Sequence, residues 1–76
     1  MTPLTEKNFD QLNVGDMLLH HVDEYKAVAI IVEGHADRPN RKNSVVVRFM
    51  WANYDFSGPT YILSPGGIAK RWTKIA

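Results

Sequence analysis

The side chains best suited to acid–base catalysis or metal binding are the histidines. His20 and His21 are adjacent in a strand-like run, and His35 follows the next such run. Adjacent residues of a strand point to opposite faces, so His20 and His21 cannot easily share one metal ion. A zinc site needs three or four converging ligands. We therefore expect one exposed and one half-buried histidine, no metal site and no cofactor.

Nucleophilic and phosphate-transfer chemistry require motifs that this sequence does not contain. The chain has no cysteine, and no serine lies in a Gly-x-Ser-x-Gly elbow. Gly66-Gly67 follows Pro65 and is not followed by Gly-Lys-Ser/Thr, so a phosphate-binding loop is not predicted. Asp23 and Glu24 fall in a predicted turn, where water solvates both carboxylates. We expect a protein without enzymatic activity.

Positive charge is concentrated in the second half of the chain, although the net charge is only +1. Residues 1–37 hold seven carboxylates and two lysines (2 − 7 = −5), whereas residues 38–76 hold seven cations and one carboxylate (7 − 1 = +6). Cationic side chains bind nucleic acid by neutralising phosphates. The candidates for such contacts are Arg38, Arg41 and Lys42 in a polar loop, Arg48 on the adjoining strand, and Lys70, Arg71 and Lys74 near the end. Two alternatives stay open: the acidic and basic strands lie side by side and neutralise each other, or the loop is merely solvated.

The second candidate surface consists of the aromatic residues Trp51, Tyr54, Phe56 and Tyr61. Exposed aromatic side chains stack on unpaired bases, and they also anchor protein partners. Trp51, with Phe49 and Trp72, falls at an apolar strand position that equally predicts core packing. Tyr54 and Phe56 lie in a turn and are the better candidates for exposure.

The elements that must position these residues are mainly β-strands. Apolar runs and turn residues predict five strands, over 16–22, 25–34, 44–51, 60–63 and about 72–75. Thr2-Pro3 suits the N-cap and first turn of a short helix with Leu4, Phe9 and Leu12 as its apolar stripe. A further helical turn is predicted before the last strand. In strand 25–34 both faces are apolar, which indicates a strand covered on both sides or one that curves around a small barrel.

Two short segments carry a resemblance to a known architecture. Phe9-x-x-Leu12-x-Val14-Gly15-Asp16 resembles the opening of Src-homology-3-like barrels of the Tudor and KOW kind. Leu63-Ser64-Pro65-Gly66-Gly67-Ile68 is similar to the single turn before their closing strand. The resemblance covers residues 9–75 and implies an all-β, five-stranded Src-homology-3-like barrel. Barrels of this architecture serve many unrelated functions, so it does not identify one.

Length and composition limit the remaining possibilities. Seventy-six residues, of which 45% are hydrophobic and 22% charged, are typical of one small folded domain over 1–76. The longest apolar run, Ala27 to Val32, is far too short to span a bilayer, so we expect a soluble cytoplasmic protein.

Two functional hypotheses remain for this domain. In the first, the basic residues and the turn aromatics bind nucleic acid or a nucleoprotein complex. In the second, the aromatic surface binds a protein partner, with a homodimer as one form of this. The second hypothesis includes a small regulator or inhibitor, among them a phage-encoded protein acting on a host enzyme.

Overall fold

The computed structural model describes residues 1–34, 44–55, 58–66 and 71–76. Within these ranges the chain is mainly β, as predicted, and contains no α-helix. Its strands are β1 (Thr2–Pro3), β2 (Met17–Val22), β3 (Tyr25–Glu33), β4 (Val45–Ala52), β5 (Thr60–Leu63) and β6 (Trp72–Lys74). One 3-10 turn spans Phe9–Gln11. The bounds of β2 to β6 agree with the predicted strands to within one or two residues.

The strands form one antiparallel sheet with the order β1-β6-β2-β3-β4-β5. Strands β2 to β5 make an uninterrupted meander, and β6 returns to lie beside β2. Among the described residues the two edges of the sheet, β1 and β5, do not pair with each other. The sheet has six strands rather than the predicted five because Thr2 and Pro3 pair with Lys74 and Thr73.

The prediction that Thr2-Pro3 caps a helix was wrong. Both residues lie in the edge strand β1, where a proline is tolerated because its missing N–H faces away from the sheet. The helical turn begins later, at Phe9, after a reciprocal contact between Thr5 and Asn8. The Thr5 N–H donates to Asn8 Oδ1 at 2.8 Å, and the Asn8 N–H donates to Thr5 Oγ1 at 3.3 Å. The second helical turn, predicted just before the last strand, falls largely on residues 67–70, outside the described part of the chain.

The core lies between one face of the sheet, here called the inner face, and the N-terminal segment that crosses it. The buried strand residues of this face are Leu18, Ala29, Ile31, Val45, Val47, Leu63 and Trp72. Leu4, Phe9 and Leu12 cover them from the N-terminal segment, so the predicted apolar stripe is confirmed as part of the core. The N-terminal segment therefore forms the second layer against which the apolar inner face of the sheet is buried.

Tight turns set the register of the two long strands at the centre of the sheet. Asp23 and Glu24 make the two-residue connection from β2 to β3, and Asp23 adopts a positive φ of 54°, which aspartate tolerates. Before β2, the Asn13 N–H donates to Asp16 Oδ2 at 2.8 Å. Gly15 within this turn has a φ of 96°, and its N–H donates to the Ile31 carbonyl at 2.9 Å. The turn is thereby joined to β3.

A β-bulge in β4 changes which face Trp51 occupies. Ala29 is opposite Phe49, but Val28 is opposite Trp51, so Met50 is an extra residue without a direct partner. Phe49 remains on the inner face, 6.2 Å from the Trp72 ring, as its strand position predicted. Trp51 is turned to the opposite face and is 53% exposed. The expectation of core packing for Trp51 was therefore wrong, because simple alternation along the strand stops at Met50.

Candidate functional site

The face of the sheet opposite the core, here called the outer face, is apolar over four neighbouring strands. Residues directly opposite each other on neighbouring strands share a face, which places Leu19, Val28 and Trp51 in one row. Met17, Ile30 and Arg48 form the next row, which ends at Thr60 on β5. Val46 and Ile62 continue the surface toward the edge. No described element packs on this face as the N-terminal segment packs on the inner one.

The large apolar side chains of the outer face are unusually exposed for a protein surface. Trp51 is 53% exposed and Ile62 45%, and the two bulge residues Met50 and Val32 are 59% and 40% exposed. Scattered single hydrophobic residues are normal on a surface, but a contiguous patch marks a site of interaction. The partly buried residues Met17, Leu19, Val28, Ile30 and Val46 occupy neighbouring positions of the outer face. Glu33, opposite Val46, is the exposed carboxylate in the last of these rows.

Arg48 is the predicted basic residue that lies within this surface. It is exposed on β4, opposite Ile30. Trp51 is opposite Val28, so the rows of Arg48 and Trp51 lie two positions apart along β3. Its guanidinium group is always charged and binds carboxylates, phosphates and aromatic faces. Among the described residues, Arg48 and Trp51 are the predicted site residues that lie on the outer face.

Of the other predicted cations, the structure describes Arg71 and Lys74. Arg71 is exposed immediately before β6. Lys74 lies in β6 with its Nζ 3.6 Å from Asp16 Oδ2, so it already faces a carboxylate. This contact is an instance of acidic and basic strands lying side by side, the alternative that the charge distribution left open. Arg38, Arg41, Lys42 and Lys70 lie outside the described residues.

Tyr54 does not join Trp51, because it packs on the inner side of the sheet. Its hydroxyl lies 3.3 Å from His20 Nδ1, and its ring meets Tyr25 edge-on with centroids 5.5 Å apart. His20 is opposite Ala27 and packs on the Trp72 indole, with centroids 4.7 Å apart. Tyr61, opposite the buried Val47, is also on the inner side, at the edge strand β5, and is 41% exposed. Phe56 lies outside the described residues.

The environment of His20 disfavours its charged form. Burial lowers the pKa of His20 below its usual 6.5, and the positive charge of Arg71 and of a protonated His21 lowers it further. His20 is half-buried and His21 is exposed, which confirms that the two adjacent histidines lie in different environments. A neutral His20 can accept a hydrogen bond from the Tyr54 hydroxyl at Nδ1, so this contact is a structural hydrogen bond within the inner cluster.

Residues 1–34, 44–55, 58–66 and 71–76 contain no group of three His, Asp or Glu side chains placed to hold a metal ion. In these ranges there is also no helix long and apolar enough to cross a membrane.

Most of the outer face was missed by reasoning from sequence, although one signal for it was visible. Val28, Ile30 and Val32 alternate with Ala27, Ala29 and Ile31 in β3, and this two-sided pattern predicts a strand that is covered on both sides or one that curves around a small barrel. Only the inner side is covered by described residues. Met50 and Ile62 carried no signal of their own, because they look like ordinary strand residues.

Comparison of this chain with protein-family models, with curated proteins and with solved structures finds no match. The surface itself must therefore support any functional conclusion.

Proposed function

We propose that this protein is a non-catalytic, cytoplasmic protein-binding module whose contact surface is the outer face around Trp51. The observation that carries this proposal is the exposure of Trp51 and Ile62 on the outer face, together with Met50 and Val32 at the two bulges of the β3–β4 pair. Water contact with such a patch is unfavourable by roughly 25 cal/mol for each Å² of apolar area. A partner that covers the patch recovers this free energy.

The composition of the outer face favours protein over nucleic acid as its partner. Protein interfaces have an apolar centre in which Trp, Met and Arg are enriched. Trp51, Met50 and Arg48 are neighbours on β4, and aliphatic residues of β2 and β3 surround them. Single-stranded nucleic acid, in contrast, binds when successive bases stack on several aromatic rings. Among the described strand residues, Trp51 is the one aromatic residue on the outer face, which offers a single stacking position.

The test is partner capture from an extract of the source cells with the immobilised chain. Trp51→Ala is expected to abolish capture, because an exposed tryptophan at the centre of a patch is the typical residue of an energetic hot spot. Tyr61→Ala is the matched control, since it removes a comparably exposed aromatic ring from the other side of the sheet. Recovery of the same proteins by the wild type and by Trp51→Ala would refute the proposal.

A second candidate function is nucleic-acid binding, and one observation favours it. Arg48 and Trp51 are exposed on the same face, so a phosphate and an unpaired base of one strand could be contacted together. In this proposal Arg38, Arg41, Lys42, Lys70, Arg71 and Lys74 extend the basic surface.

Titration with short DNA and RNA at low and moderate salt, followed residue by residue by NMR, tests the second candidate. Shifts at Arg48, Trp51 and residues 70–74 that fade with salt are expected. Arg41→Ala combined with Lys42→Ala should weaken binding and flatten its salt dependence. A spectrum that does not move even at low salt would exclude nucleic acid as the partner.

We also propose that β2 to β6 curve into a small half-open barrel of the Src-homology-3-like kind. The order β6-β2-β3-β4-β5, in which the last strand returns beside the first of the meander, supports this. Proximity between β5 and β6 backbone atoms, measured by nuclear Overhauser effects, would be expected of such a barrel. Widely separated β5 and β6 would instead indicate an open sheet.

A further inference from the structure

We propose that the occupant of the outer face is a second copy of this chain, so that two sheets pack face to face in a symmetric homodimer. The inference rests on the proposed protein-binding function, and it names the partner. Apolar sheet faces pack on one another about 10 Å apart, and a second copy supplies a face with the same alternation and the same right-handed twist. Self-association of one surface patch is also the most frequent form of protein assembly.

The area of the outer face is sufficient for a reversible dimer. Four strands spaced by about 4.8 Å span about 20 Å, and the outer face extends over about six residues, a similar length, on β3 and β4 but over fewer on β2 and β5. The projected surface is therefore at most roughly 400 Å² for each copy, and side chains that project from the sheet add to the accessible area. Specific interfaces bury about 1,200–2,000 Å² over both partners, and weaker ones bury less. The outer face thus lies at or below the lower end of this range, which indicates a weak dimer that dissociates on dilution.

The small core gives a second reason for association. The buried hydrophobic cluster contains ten described side chains, and the chain has no cysteine that could form a disulfide. Small cores of this kind are often supplemented by disulfides, metals or oligomerisation. Burying the outer face of two copies together adds a second apolar layer to each.

The arrangement of Arg48 and Trp51 permits a symmetric contact without opposing like charges. A two-fold axis that lies across the strands, between the rows of Arg48 and Trp51, exchanges these rows. Each Arg48 guanidinium then lies over the partner's Trp51 indole, and the two arginines remain separated along the strands. Arginine stacks favourably on tryptophan, so the one charge in the middle of the patch is accommodated. The strands of the two sheets stay roughly aligned, as in sandwich packing.

Sedimentation equilibrium of the full chain over about 1 μM to 1 mM tests this inference. The mass should rise from the monomer value of 8.6 kDa toward twice that value with increasing concentration. Trp51→Ala should raise the dissociation constant at least about 10-fold, since each dimer loses two central side chains. Arg48→Ala should weaken the dimer, and Arg48→Lys should restore only part of the loss. Tyr61→Ala should leave the constant unchanged, and far-UV circular dichroism confirms that each variant is folded.

The outcomes separate this inference from the function on which it rests. A wild-type chain that stays at 8.6 kDa up to 1 mM overturns the homodimer. So does a dimer that Trp51→Ala leaves unchanged, since the contact would then lie elsewhere. If the chain is monomeric but captures another protein in a Trp51-dependent manner, the inference fails and the protein-binding function stands. If the chain is monomeric and Trp51→Ala captures the same proteins as the wild type, the homodimer inference and the protein-binding function both fail.

Discussion

Replacement of Trp72 should remove a large part of the stability of this domain. Trp72 is 2% exposed, belongs to the core cluster, and packs against His20 and Phe49 at ring-centroid distances of 4.7 and 6.2 Å. Truncation of a buried tryptophan to alanine costs about 3–5 kcal/mol. At about 0.05–0.15 kcal/mol for each residue, 76 residues correspond to a total of roughly 4–11 kcal/mol. Trp72→Ala should therefore remove from about a quarter to all of the stability, and at the lower end of this range the variant is unfolded.

Trp72→Phe separates the two contributions of this side chain. The indole Nε1 is buried and has no hydrogen-bond partner among the described residues. An unpaired buried donor costs about 1–3 kcal/mol, and phenylalanine removes it. The smaller ring also loses roughly 2 kcal/mol of apolar burial. These effects oppose each other, so we expect Trp72→Phe to lie within about 1 kcal/mol of the wild type.

Urea unfolding followed by far-UV circular dichroism measures both variants. Protein concentration must be held constant, because association through the outer face would make stability depend on it. A Trp72→Ala loss below about 1 kcal/mol would refute the assignment of Trp72 to the core. If Trp72→Phe is as unstable as Trp72→Ala, the argument from the unpaired Nε1 is wrong.

Two further predictions concern the hairpin and the inner cluster. Asn53 accepts the Lys26 N–H at Oδ1 (2.8 Å) and donates from Nδ2 to the Glu24 carbonyl (2.9 Å), so Asn53→Ala should cost about 1–2 kcal/mol in urea unfolding. Asn53→Asp keeps the acceptor for the Lys26 N–H and should lose less stability than Asn53→Ala. Equal stability of Asn53→Ala and the wild type would contradict a stabilising role for these two hydrogen bonds. Burial, and then Arg71 and His21, lower the pKa of His20 in the folded chain below its usual 6.5. Between this lowered pKa and about pH 6.5 the unfolded chain binds more protons than the folded one, so stability should fall as the pH drops through this interval. His20→Gln should remove this part of the pH dependence, whereas His21→Gln should retain it; identical profiles for His20→Gln and the wild type would show that His20 does not contribute.

The strands could be predicted from sequence because each is bounded by a local signal. Apolar runs that end at turn residues placed β5 at Thr60–Leu63 without error, and β2 and β3 to within one residue. β1 was missed because two residues carry no periodicity, and Thr2-Pro3 has a good local interpretation as a helix start. Its pairing with Lys74 and Thr73 is a contact between the two ends of the chain. No local pattern reports a contact of that kind.

The candidate site was less predictable because it depends on extra residues in the β3–β4 pair, of which Met50 decides the face that Trp51 occupies. Alternation in β4 placed Trp51 with Phe49 on the core side, and nothing in the sequence marks Met50 as a bulge. The bulge is defined only by the register against Val28 and Ala29. Trp51 and Tyr54, which the sequence grouped in one aromatic surface, consequently lie on opposite sides of the sheet.

The apolar residues on both faces of β3 support the proposal that a partner covers the outer face. Its inner residues Ala27, Ala29 and Ile31 are buried. Its outer residues Val28 and Ile30 are also apolar and are only partly buried. In a strand with one face in water, polar residues belong on the exposed side. β3 has no polar residue between Ala27 and Val32. Such a strand is suited to packing on both faces, and the described part of the chain covers only one of them.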